Sequence, residues 1–202
     1  MEETIRNIAD GVFIMVRPAG QAHSINKALT DSQVKRLLDV ASASTRDTAI
    51  VWLCLSGCRI GEAVSIRFRD IMAGGEVLGS FVLNRNATKG KATREVLLGS
   101  KARNAVKAHI ATFNGDFEPD DRVIPLNPSY AATLIKSLMA KSGLDYRYSS
   151  HSLRKTFCTK AVLGIVNIAY IQRCMGHSNI STTNSYVEVH CTGNEKEILN
   201  LW

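Results

Sequence analysis

The sequence predicts one mainly α-helical domain carrying a small antiparallel β-hairpin. Two observations point there first. Apolar residues recur at helical spacing through most of the chain, and the periodic runs are punctuated by capping residues and glycines. That period shifts only in "EVLGSFVLN" and "TREVLLG", where β-rich runs flank the polar, glycine-containing "RNATKGKA". A third observation bounds the domain count: 202 residues suffice for a single core, and no internal repeat, low-complexity tract or long linker divides them.

Taken in order, residues 1–28 lack a clear period and read as a lead-in. "TDSQVKRLLDVA" is a helix: Thr30 caps it, Gln33 stands at the reciprocal capping-box position, and Val34, Leu37, Leu38 and Ala41 share a face. "RDTAIVWLCLSG" is nearly all apolar and stops at Gly57, as a central core helix does. "RIGEAVSIRF" is expected to restart as a helix at once. After the hairpin come the helices "SKARNAVKAHIATF" and "NPSYAATLIKSLMAKSG", the latter with Asn127 as cap, Pro128 in the first turn and Gly143 beyond the end. "HSLRKTFCTKAVLG" and "NIAYIQRCMG" are two more helices, each closed by a glycine.

Composition narrows the function. An apolar fraction of 45% and a charged fraction of 21% describe an ordinary globular protein, but the formal net charge of +7 favours a polyanionic partner, nucleic acid before an anionic membrane. The apolar run "GVFIMV" is too short to span a bilayer and follows acidic residues, unlike a signal peptide. Five cysteines without a CxxC pair argue for reduced thiols in a cytoplasm. Cys54 and Cys58 sit among apolar neighbours with no second ligand pair, so buried thiols are favoured over zinc. Asp116, Glu118, Asp120 and Asp121 miss the spacing of an EF-hand loop and read as solvated turn residues.

Several side chains are harder to explain as fold. Arg59 follows the glycine-terminated helix, where pairing with Glu62 or capping carbonyls is the bland alternative. Lys89 lies at the hairpin tip, where lysines are commonly solubilising. His151 and Arg154 are three apart and project from one helical face, which suits an anionic ligand; a capping histidine with an exposed arginine is the rival. His177 and Tyr186 follow Gly176, which permits a sharp turn. One reaction would use all of them. Guanidinium forks match phosphate oxygens and keep their charge, so two of them neutralise a phosphodiester as its transition state gains charge. A tyrosine hydroxyl, with a pKa of about 10, needs a neighbouring histidine or the cationic field to become a nucleophile. A lysine ammonium can protonate the leaving oxygen. Such a site needs no divalent metal and no cofactor.

This ordered set resembles the tyrosine recombinase (phage integrase) family, through "SGCRIGEA", "TKGKATREVLL", "HSLRKTF" and "MGHSNISTTNSYV", over roughly Leu29 to His190. The resemblance implies the tyrosine recombinase catalytic-domain fold over 29–190. It also implies that Arg59, His151, Arg154 and His177 cradle the scissile phosphate. Lys89 then protonates the departing 5′ oxygen and Tyr186 forms a 3′-phosphotyrosyl bond; Lys91 is the alternative to Lys89. Glu62 falls where the family keeps an acidic residue that supports the site. The implied partner is double-stranded DNA, bound as a homotetramer on paired sites, with no membrane and a cytoplasmic, nucleoid-associated location in a bacterium. Most members carry a further DNA-clasping domain ahead of this region, so the chain is either a short natural recombinase or a catalytic domain alone. The tail 191–202, with Ile198, Leu199, Leu201 and Trp202 apolar, docks either on a neighbouring protomer or on its own domain. Site-specific recombination is the leading expectation. A type IB topoisomerase-like relaxing enzyme and a non-catalytic DNA-binding accessory protein are the alternatives.

Overall fold

Thr30 opens the first long helix as its spacing predicts. Its hydroxyl accepts from the Gln33 amide, and the Gln33 side chain accepts from the Thr30 N–H at 2.9 Å, which closes the capping box over α1 (Asp31–Ala41). The computed structural model describes residues 5–8, 12–15, 27–83 and 93–163. Ser44 caps α2 (Thr45–Leu55), the apolar helix, and Ala49, Ile50, Val51, Leu53 and Cys54 along it are buried. Asn127 caps α6 (Pro128–Lys141), with proline in the first turn and Gly143 at φ +76° beyond the end. α5 (Ser100–Ile110) continues into a 3₁₀ turn, and α7 (Ser150–Leu163) carries the "HSLRKTF" motif. α2 packs against α1, α5 and α7, so it is the central helix of the described core. Among the described residues, no helix is long and apolar enough to cross a membrane.

Three expectations change. "RIGEAVSIRF" is not one helix: α3 (Ile60–Ala63) lasts a single turn, the chain extends through Ile66, and α4 (Phe68–Ile71) begins afresh. The break puts Ile66, Phe68 and Ile71 all into the core, which one continuous helix ending in that register would not do. "EVLGSFVLN" is not one strand either. Its first residues, β4 (Glu76–Val77), turn back on β3 (Met72–Ala73) around Gly74 and Gly75, both at positive φ. The expected hairpin is β5 (Ser80–Leu83) against β6 (Arg94–Leu97), with Leu83 opposite Arg94 and Ser80 opposite Leu97. Finally, the stretch read as a lead-in holds β1 (Ile5–Ile8) and β2 (Val12–Met15), paired antiparallel with Ile8 opposite Val12, and β2 lies against α6.

The acidic loop is stitched by its own side chains. Asp121 accepts from the Glu118 amide at 2.8 Å, and Asp120 pairs with Arg69. Above it Phe68 stacks on Phe117, centroids 3.8 Å apart, and meets the edge of Phe113, which fixes α4 against the end of α5. The expected helix "NIAYIQRCMG", with Cys174 and Cys191, lies outside the described residues.

Candidate active site

The site begins with how α2 ends. The Gly57 N–H bonds the Cys54 carbonyl and the Cys58 N–H bonds the Leu53 carbonyl, both at 3.1 Å, which is the Schellman closure. That closure requires Gly57 at φ +92°, a conformation glycine adopts without penalty. It also leaves little room for a side chain: a Cβ there would stand 3.1 Å from Cδ1 and Cε1 of Phe157 on α7. The tight turn therefore does two things. It brings α7 onto the end of α2, and it presents the Gly57 carbonyl as an acceptor facing away from the helix.

Two guanidinium groups use that acceptor. Arg94 Nη2 donates to the Gly57 carbonyl at 3.1 Å, and Arg154 Nη1 donates to it as well. Beside it lies the Glu62 carboxylate, on the single turn of α3. Its Oε2 accepts from the Arg59 N–H at 2.7 Å and from Arg94 Nη2 at 2.5 Å, and its Oε1 accepts from Arg59 Nη1 at 2.7 Å. Arg154 Nη1 stands 3.6 Å from Oε2. One carboxylate thus collects three guanidiniums from three elements: the α2–α3 turn, β6 and α7. Glu62, Arg94 and Arg154 are buried, and the Arg59 side chain keeps a quarter of its surface in solvent.

The electrostatics follow from that count. Among the described residues, three arginines and one glutamate carry a net of two positive charges in a space that excludes most water. Burial pushes Glu62 up, but the Arg94 charge and the hydrogen bonds from Arg59 and Arg94 outweigh it and hold the carboxyl below its usual range. Arg154 is pushed down to about 10 by burial and by the charges of Arg59 and Arg94, which Glu62 offsets only in part. A cluster in that condition is stabilised by a further anion. The neighbouring thiols supply none: burial pushes the Cys54 thiol far up and that of Cys58 to about 12, so both stay protonated. Cys158, also buried, is raised to about 11.

Of the residues singled out in the sequence, Arg59, Glu62 and Arg154 are brought together. His151 opens α7 one turn before Arg154 and is exposed. Lys89, Lys91, His177, Tyr186 and the tail 191–202 lie outside the described residues. Cys54 and Cys58 are buried as expected. Among the described residues no cluster of three or more His, Cys, Asp or Glu side chains is gathered as a metal would need. The sequence reading missed Arg94. Its signal was the strand period: Arg94 alternates in phase with Val96 and thus faces the core, where a charged residue needs a partner.

The arginine fork suits buried ion pairs and phosphate recognition alike, and three such forks meet here at one buried carboxylate. Sequence comparison makes this specific: residues 27–192 match the phage integrase family, and the chain belongs to that family. It is 29% identical over 198 residues to the tyrosine recombinase XerD of Corynebacterium glutamicum, covering 90% of this chain and 63% of that protein. In fold it is similar to the catalytic domain of bacteriophage HP1 integrase, with a TM-score of 0.60 and 23% identity over 85% of this chain and 91% of that one. It is also similar to the XerH site-specific recombinase, solved as a post-cleavage complex with its palindromic difH substrate, with a TM-score of 0.66 and 16% identity over 88% of this chain and 53% of that one. The chain spans about three-fifths of the length of the curated relatives it matches.

Proposed function

We propose that this chain is the strand-cutting and rejoining part of a site-specific DNA recombinase. The observation that carries the reading is the buried cluster of Arg59, Arg94 and Arg154 around Glu62, with two positive charges in excess and Arg59 reaching solvent. A scissile phosphodiester supplies the missing anion, and its trigonal-bipyramidal transition state, carrying more negative charge, fits the cluster better still. Family membership and the recombinase relatives support the same chemistry.

In the reaction, Arg59 and Arg154 hold the non-bridging oxygens, and His151 and His177 complete the cradle. The Tyr186 oxygen attacks phosphorus and passes its proton to a nearby base. The phosphorus–O5′ bond breaks, and the ammonium of Lys89 gives O5′ a proton. The product is a 3′-phosphotyrosyl ester and a 5′ hydroxyl, so the broken linkage is held in a form that the reverse attack can rejoin. Charge neutralisation by arginine and lysine takes the place of a divalent cation. The catalytic unit is 29–190, its substrate is double-stranded DNA, and exchange between two duplexes requires four such units on paired sites. The chain acts in the cytoplasm, on the nucleoid.

The test is Tyr186→Phe, assayed with a nicked suicide substrate that traps the covalent complex. The expected outcome is loss of the protein–DNA adduct with DNA binding kept within about threefold. Adducts that persist in the variant overturn the reading.

A further inference from the structure

The proposed strand transfer assigns no role to Arg94, yet the geometry gives this residue the most central place in the cluster. It is the first residue of β6, and its guanidinium is about 2% exposed, so it is closed off from DNA. From there Nη2 bonds Glu62 Oε2 at 2.5 Å and the Gly57 carbonyl at 3.1 Å. The two acceptors it serves are those that would otherwise fall to the arginines proposed to hold phosphate: Glu62 also binds Arg59, and the Gly57 carbonyl also binds Arg154.

We propose that Arg94 is a positioning residue for phosphodiester cleavage: by satisfying Glu62 and Gly57 from behind, it keeps Arg59 and Arg154 oriented and electrostatically available to the scissile phosphate. This inference rests on the strand-transfer reading above. The charge count shows what the residue changes. With Arg94 the described cluster holds three cations and one anion, a net of two positive charges. Without it one charge remains, and Glu62 draws on Arg59 and Arg154 alone. Arg94 also ties β6, five residues beyond Lys89, to the turn that carries Arg59.

The experiment uses the full 202-residue chain and a suicide DNA duplex, and follows single-turnover cleavage, DNA affinity and thermal unfolding together. Arg94→Met is expected to slow cleavage by about 10- to 100-fold, by analogy with removing the outer partner that orients a metal's ligand. DNA affinity should stay within about threefold. Arg94→Lys should recover much of the rate, because an ammonium returns the charge and the donors. Arg94→Met combined with Glu62→Gln removes the buried anion along with its partner, restores the surplus of two charges and should cleave faster than Arg94→Met alone. This double variant also serves if Arg94→Met fails to fold, because it removes the buried carboxylate's charge along with that of its most buried partner.

A methylphosphonate at the scissile position gives a second readout, since its missing negative charge should shrink the Arg94→Met defect severalfold. A residue that merely holds the fold together predicts equal defects on both substrates and no gain from Glu62→Gln; either result overturns the proposal. So does full cleavage by a folded Arg94→Met. If the unmodified protein forms no adduct at all, the strand-transfer reading fails first and takes this inference with it. If it forms adducts that Arg94→Met also forms at the same rate, only this inference fails.

Discussion

Gly57 shows how much one residue can decide. It closes α2, supplies the carbonyl that Arg94 and Arg154 share, and leaves the gap that Phe157 fills. Gly57→Ala meets two obstacles together: a φ of +92° that an L side chain rarely adopts, and a methyl 3.1 Å from the Phe157 ring. The variant is expected to lose about 1–3 kcal/mol of stability by denaturant titration. It should also lose cleavage beyond that, because relief of the clash moves α7 and Arg154 away from Arg59. Wild-type stability and cleavage in this variant would contradict that description of the turn. Half of this was legible in the sequence. A glycine after an apolar helix announces a C-terminal closure, but nothing in the sequence shows that its carbonyl is the meeting point of two distant arginines. Arg94 was hidden for the same reason. Its partners are 32 and 37 residues away, and only the pairing of β6 reveals that it faces inward.

At the scale of elements, helices were legible where they cap themselves. α1, α2, α5 and α6 lie where their periodicity and punctuation place them, since those signals are local. The short pieces were not. α3 and α4 are one turn each, too brief for a period, and are fixed by what they contact: Glu62 by its arginines, Phe68 by Phe113 and Phe117. The β1–β2 hairpin did have a local signal, the Asp10-Gly11 pair between two β-branched runs.

α5 is joined to its neighbours by a titratable clasp. His109 Nε2 donates to the Val123 carbonyl at 2.9 Å, which sets the tautomer, and Nδ1 faces the Thr45 hydroxyl at the start of α2 at 3.5 Å. Burial holds this imidazole below its ordinary 6.5 despite the opposing bond to Val123. The unfolded chain therefore takes up the proton first. The contribution of His109 to stability is present above about pH 6.5 and is lost as pH falls through that value toward the folded one. Urea titrations between about pH 7.5 and 5.5 should show a pH slope that His109→Gln makes shallower, by up to about 1.4 kcal/mol per pH unit for one proton. An unchanged slope in the variant would rule the clasp out.

For the whole molecule, the basic surplus and the cluster describe one design at two ranges. In the proposed strand transfer, the formal charge of +7 draws a polyanion to the surface, and the net positive charge of the described cluster receives one phosphate. The family and the outline of the fold were legible in four short motifs because those motifs carry chemistry that packing alone does not demand. The distances among Arg59, Glu62 and Arg154 were not, because three elements must fold before these residues meet. In the proposed reaction, a phosphate gripped beside Arg59 and Arg154 is attacked by the Tyr186 oxygen. The most direct measurement traps the covalent complex on a suicide duplex, digests protein and DNA, and identifies the linked peptide by mass spectrometry. The expected product is a phosphate ester on Tyr186 joined to the 3′ end of the cleaved strand. A 5′ linkage, or attachment through another residue, would contradict it.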